Sequence, residues 1–190
     1  KSIHSFAIDI TGNIKRYSVK AEDRKCTYSG GVGEDISFDL LLSDKYDSNI
    51  VLIDPTERAS KHYEEVKDYF KTKKWEFSGD IQKDYYVKVS GLNMNFDKIS
   101  YLNIGIWNKK ETLKFYKQNN PQYVSQSLIG NMFGNEYDEV EVDSIKNIMK
   151  KQGHDKIDLL KLDIEGAEIK VLNNMLDDKI YPRYLCIEFD

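Results

Sequence analysis

Apolar and polar positions along this 190-residue chain fall into short blocks, each with its own period. Phe6, Ile8 and Ile10 alternate with Ala7 and Asp9, the period of two of a half-buried strand. Thr11-Gly12-Asn13 then predicts a turn, with a second short strand near residues 17–19. Residues 1–24 thus read as a lead-in hairpin packed on a larger sheet; a lid or an arm that pairs two copies into a homodimer are the other readings. Cys26, Thr27 and Tyr28 form a β-prone run that enters a glycine cluster, Gly30, Gly31 and Gly33. The apolar series Ile36, Phe38, Leu40, Leu41 and Leu42 follows, so the block predicts strand, tight turn and helix, broken by the polar run 43–47. Residues 49–54 (NIVLID) are a continuous apolar run closed by an acid, the pattern of a strand buried on both faces of a parallel sheet. Pro55 ends it, and Tyr63, Val66, Tyr69 and Phe70 repeat at helical spacing beyond Thr56-Glu57-Arg58.

The second half is less regular. Residues 75–79 and 85–92 read as strand or irregular chain. Residues 101–107 (YLNIGIW) read as one strand, Lys109-Lys110 as a turn, and 113–116 (LKFY) as its hairpin partner. Residues 118–135, rich in Asn, Gln, Ser and Gly, form a long polar segment, a loop or a binding lid. Val140 and Val142 alternate with charges, which predicts an edge strand over 137–144; a helix over 145–151 should stop at Gly153. A strand over 157–162 reaches Asp163, a helix follows with Ile169, Leu172 and Met175 on one face, and 184–189 (YLCIEF) is the last strand. Strands alternating with helices predict an α/β fold, a mostly parallel sheet with helices on both faces, in a single domain over 25–190.

Bulk properties remove several function classes. The net charge is −4, so no global basic field favours nucleic acid. Lys71, Lys73 and Lys74 beside Trp75 read as the solvated end of a helix. No apolar run reaches the roughly 20 residues a membrane span requires. The N-terminus has no signal-like pattern. Cys26 and Cys186 lie far apart in strand-like runs and read as buried thiols of a cytoplasmic, reducing compartment. His4, His62 and His154 are scattered and no CxxC pair is present, so no metal site is predicted.

The candidate chemistry lies at strand ends. The glycine cluster lets backbone approach a ligand closely, and the helix behind it aims free N–H groups at the same space. A P-loop would continue into Gly-Lys-Ser/Thr, and a dinucleotide fingerprint would place a third glycine where this chain has Ile36. Glu34 and Asp35 instead suit a ligand with positive charge, an amino group or a sulfonium; S-adenosylmethionine (SAM) carries both. Their other reading is complementing the helix dipole. Asp54 follows Gly33 by 21 residues, a spacing for a carboxylate on a ribose diol, or else for a helix cap. Trp107 is placed to flank a base or to fill core. Asp163 and Glu165 end a strand expected beside the first one, where a carboxylate can orient or deprotonate a hydroxyl, or cap the next helix. Glu168 is a site acid or a first-turn acid.

The stretch DLLKLDIEGAE, residues 158–168, resembles the signature of FkbM-type SAM-dependent methyltransferases. So do YSGGVGEDISFD, VLIDPT, NIGIWNKKETLKFY, VSQSL and CIEFD, in the same order, over residues 25–190. The resemblance implies a Rossmann-like class I methyltransferase fold that moves the methyl of SAM to an oxygen of a sugar, glycan or small metabolite. By position, Gly31, Gly33 and Glu34 would line the methionine part, Asp54 the ribose, and Ile106 or Trp107 the adenine. Asp163 would face the methyl-transfer site. Together with the strand-end reading this makes Asp163 or Glu165 the expected catalytic base, and Glu168 with Ser125 and Ser127 of the polar segment the expected acceptor contacts. Many such enzymes carry an acid where this chain has Ser29, so Glu34 or backbone is expected to replace that contact near the cofactor. The fold normally adds a closing C-terminal hairpin, which is expected to be missing here. A non-catalytic Rossmann-like binding module is the rival reading; an NAD-type oxidoreductase is disfavoured by Ile36, Glu34 and Asp35.

Overall fold

The computed structural model describes residues 5–8, 14–17, 25–74, 83–116 and 137–189. The predicted turn at Thr11–Asn13, the 75–79 run, the polar segment with Ser125 and Ser127, and Asp190 lie outside the described residues. Strands β1 (Ser5–Ile8) and β2 (Ile14–Tyr17) form an antiparallel hairpin, its second strand earlier than the predicted 17–19. The central sheet is built from β3 (Cys26–Gly30), β4 (Asn49–Ile53), β5 (Ile99–Leu102), β9 (Leu159–Leu162) and β10 (Tyr184–Ile187). Its order is β10-β9-β3-β4-β5, and every neighbouring pair is parallel. The β1–β2 hairpin approaches it where β1 lies beside β10.

Period-two burial sorts the central strands onto two helical layers. Tyr28, Val51, Ile53, Leu160 and Leu162 pack with Ile145, Ile148, Val171 and Met175 of α4 (Ile145–Gln152) and α5 (Glu168–Asp177). Ile50, Leu52 and Leu159 pack on the opposite face against α1 (Ser37–Tyr46), α2 (Glu57–Thr72) and α3 (Lys83–Ser90). The fold is the predicted α/β one, a mostly parallel sheet with helices on both faces. Helix α1 has no side-chain N-cap, an omission that costs about 1 kcal/mol. Leu40 and Leu42 are fully buried and contribute about 1.5–3 kcal/mol each, so tertiary packing holds this helix in place. None of the helices among the described residues is long and apolar enough to cross a membrane. Cys26 and Cys186 form no disulfide; Cys26 is buried as predicted, whereas Cys186 is only half-buried.

Several local predictions are overturned. The polar run 43–47 does not break α1, which continues to Tyr46 and ends at Asp47 in the left-handed conformation, because Ser43 is itself buried. Of residues 85–92, those up to Ser90 belong to helix α3 rather than to a strand. Tyr85 and Val89 are buried one turn apart while Val87 is 76% exposed, whereas a strand would have put all three on one face. The run 101–107 splits into β5 and β6 (Gly105–Trp107), separated by a tight turn in which the Ile104 N–H donates to the Leu102 carbonyl at 2.9 Å. Strand β7 (Glu111–Tyr116) does not pair with β6. Both flank β8 (Tyr137–Ser144), parallel to β6 and antiparallel to β7, so the predicted edge strand is the middle strand of a three-stranded sheet. Four Cα steps from Trp107 to Glu111 reach about 13 Å, enough to cross two strand spacings of about 4.8 Å. Val140 and Val142 of β8 bury against Phe115, a contact that a two-residue hairpin between β6 and β7 would forfeit.

Candidate functional site

Strand order reverses at β3, whose neighbours are β4 on one side and β9 on the other. In an open parallel sheet such a switch point leaves a crevice beyond the carboxyl ends of the strands. A cavity of about 470 Å³ lies there. The glycine loop after β3 and the start of α1 form one wall, and the residues after β4 and the first turn of α2 form the next. Ile106 and Phe115 come from the second sheet, and Lys161, Asp163, Ile164 and Glu165 come from the end of β9.

The loop geometry explains its glycines. Gly31 sits at φ +71°, and a Cβ there would lie 1.6 Å from the Asp163 carbonyl oxygen, so the two strand ends touch only because no side chain intervenes. Gly33 also has positive φ, and its N–H donates to Asp54 Oδ2 at 3.0 Å. Asp54, 5% exposed, accepts the Thr56 N–H at 2.8 Å and the Thr56 hydroxyl at 2.6 Å through Oδ1. A carboxylate offers about four acceptor positions, so with three taken one remains for a ligand hydroxyl. Asp54 thereby ties loop to helix, while Thr56 itself caps α2 by accepting the Ala59 N–H.

The acids of the loop are placed differently from a bare helix start. Helix α1 begins at Ser37, after them; Asp35 Oδ1 accepts the Ser37 N–H at 2.9 Å, and Glu34 is ion-paired with Arg58 of α2. At the opposite wall the turn after β9 carries Glu165 at φ +55° and Gly166 at φ +93°. Glu168, 2% exposed, stitches that turn by accepting the Ile164 N–H at 2.9 Å and the Gly166 N–H at 3.3 Å.

Of the residues singled out in the sequence, Gly31, Gly33, Glu34, Asp35, Asp54, Ile106, Asp163 and Glu165 line this one cavity. Ser29, Trp107 and Glu168 do not. Ser29 is fully buried behind the loop, and Trp107 donates through Nε1 to Glu111 Oε1 at 2.8 Å with the Lys170 ammonium 4.2 Å above its ring. Sequence reasoning missed Ser37, Phe115, Arg58 and Lys161. Lys161 had a signal: it stands two residues before Asp163 in a strand and must share its side of the sheet. Phe115 had none, because its strand was assigned the wrong partner.

Behind the cavity lies Asp39 of α1, 2% exposed. Burial pushes its carboxyl up to about 6, with Lys161 and the Ser29 hydroxyl acting in the opposite sense. Lined by acids on both sides and by apolar Ile106 and Phe115 at its back, the cavity suits a ligand with positive charge, a hydroxyl-bearing ring and an apolar flat group. A family model described as the methyltransferase FkbM domain matches residues 18–188. No curated protein and no solved structure gives a match.

Proposed function

Because the chain belongs to the FkbM methyltransferase family, we propose that it transfers the methyl group of SAM to the oxygen of a sugar, glycan or small-metabolite hydroxyl. The observation that carries the reading is the convergence, at the switch point of β3, of the glycine loop, the ribose-spaced Asp54 and the pair Asp163 and Glu165 in one cavity. The residues fit the methyl donor. Glu34 and Asp35 answer a sulfonium and an ammonium, and Asp54 keeps an acceptor position for a diol. Bound there, SAM supplies a methyl on an already activated sulfonium leaving group.

The protein's own work is then alignment and dehydration. Gly31 and Gly33 bring backbone against the methionine part, Asp54 accepts from the ribose, and Ile106 packs on the adenine and excludes water. Asp163 orients the acceptor hydroxyl and takes its proton as the new C–O bond forms, with Glu165 as the neighbouring acid. Glu168 acts through the turn that presents both. Ser29 supports the loop from behind, Trp107 braces the strand that carries Ile106, and Ser125 and Ser127 meet the acceptor. We place the reaction in the cytoplasm, where Cys26 and Cys186 stay reduced.

Calorimetric titration of the purified chain with SAM and with NAD tests this. The expected result is saturable SAM binding, no NAD binding, and a loss of roughly 10-fold or more in SAM affinity in Asp54→Ala, one hydrogen bond to a charged group. A folded chain that binds no SAM would overturn the reading. SAM binding without turnover on any hydroxyl acceptor would leave a binding module.

A further inference from the structure

Two cationic side chains line the cavity among the described residues, and they are not equivalent. Arg58 is already engaged by Glu34 and is 45% exposed. Lys161 is 27% exposed, and its nearest charge is Asp163 Oδ2 at 3.6 Å, beyond hydrogen-bond reach. An ammonium has three donors, and among the described residues Lys161 spends none of them on a hydrogen bond.

Register explains how that ammonium comes to stand there. Lys161 is paired with Ser29, and both stand on the α1 face, since their neighbours Leu160, Leu162 and Tyr28 belong to the α4–α5 layer. The aliphatic stem therefore rises between β9 and α1 toward the cavity. Behind it lie two buried polar atoms, Ser29 Oγ and Asp39 Oδ1, that face each other without reaching hydrogen-bond distance of any partner. Asp39 and Lys161 interact electrostatically. A buried carboxylate with a free oxygen is a standing attraction for this ammonium, and it holds the positive charge at the methyl-donor wall of an otherwise acidic site.

We infer that Lys161 is the residue that takes the carboxylate of the amino-acid end of the methyl donor. The inference rests on the reading of the cavity as a SAM site. Asp54 anchors the ribose on the β4 side of β3, and a ligand laid across the glycine loop from there carries its amino-acid end to the β9 side. That end is a zwitterion, and the lining offers a charge for each part: Asp35 of the loop for the ammonium and Lys161 for the carboxylate. Ser37, at the first turn of α1, lines the same corner and adds a hydroxyl.

The test compares three ligands on the whole chain by calorimetry: S-adenosylhomocysteine, its decarboxylated analogue, and 5′-methylthioadenosine, which lacks the amino-acid end. Lys161→Met should weaken S-adenosylhomocysteine roughly 10- to 100-fold, the loss of one hydrogen bond between charged groups, and the other two less than about 3-fold. Lys161→Arg, which keeps the charge, should retain most of the affinity and covers the case in which the Met variant fails to fold. Equal losses for all three ligands, or none, would overturn the inference while leaving the SAM site standing. A wild-type chain that binds none of the three would overturn the functional reading and this one with it.

Discussion

At its N-terminal end, β3 gathers Cys26, Tyr28, His154 and Asp158; at its C-terminal end it meets Asp39, Lys161 and Asp163. By residue type the first set looks the more reactive, a thiol, an imidazole and a carboxylate within reach of one another. Its groups, however, satisfy each other. The Tyr28 hydroxyl and His154 Nδ1 are 2.9 Å apart, His154 Nδ1 also meets the Cys26 thiol at 3.5 Å, and the Cys26 N–H donates to Asp158 at 3.0 Å. Burial, with Asp158 beside it, pushes the Cys26 thiol up to about 11, so it stays protonated at neutral pH. The C-terminal set holds unpartnered oxygens on Ser29 and Asp39, a long ion pair and a cavity. Bonding capacity left over beside open space marks a site; reactive residue types that close on one another mark structure.

The sharpest way to break this contrast is to measure turnover. With an acceptor in hand, Asp163→Asn should lower kcat by about 10²- to 10⁴-fold, the range for a lost acid–base group, with SAM affinity changed only a few-fold. Cys26→Ser at the other end should leave kcat unchanged. Reversed results would move the chemistry to the N-terminal end. Next come two glycines with nearly equal φ. Gly31→Ala faces the Asp163 carbonyl at 1.6 Å and should destabilise by about 4 kcal/mol or more, whereas Gly153→Ala, at φ +70° with open space around it, should cost only about 1–2 kcal/mol. Urea unfolding of the two variants checks the difference, and equal losses would mean that the β3–β9 contact relaxes freely.

A smaller effect is expected from Asp39. Its carboxyl is raised in the folded chain to about 6 from an ordinary 3.8. Between those values the folded chain holds a proton that the unfolded chain has released, so this group's contribution is fully present below about pH 4 and is lost as pH rises through 6. Asp39→Asn should therefore gain on the wild type between pH 4.5 and 7.5, by on the order of 2 kcal/mol. Unfolding curves at the two pH values decide it, and a constant difference would refute the raised carboxyl. The smallest effect is chemical. In a Cys186→Ser background at pH 8, native Cys26 should react with a disulfide reagent roughly 100-fold more slowly than after unfolding, as its thiolate fraction requires.

Gly31, Gly33, Glu34, Asp35, Asp54, Asp163 and Glu165 were legible because each lies within five residues after the end of a strand, and parallel strands must present those ends at one edge; Ile106, inside β6, reaches the cavity from the second sheet. The glycines, Asp54 and Asp163 each depend on a local signal that survives without knowledge of the neighbours. Arg58 and Phe115 were not legible, since one had to pair across to Glu34 and the other had to reach the cavity from a second sheet. Ser29, Trp107 and Glu168 carried strand-end or first-turn signals as clear as the others, yet burial and hydrogen bonds to near neighbours turned their side chains away from the cavity.

What the sequence by itself determined is the alternation of strand and helix, the parallel sheet, and the edge at which its glycines and acids collect, because hydrophobic period and turn chemistry act within a few residues. What only the tertiary structure decided is which strand lies beside which and how each segment settles against the core. That choice made Lys83–Ser90 a helix, split 101–107 between two sheets, put β8 between β6 and β7, and set Lys161 over Ser29 and Asp39. Pairing and burial are settled by contacts between residues far apart in the chain, and no local pattern carries them.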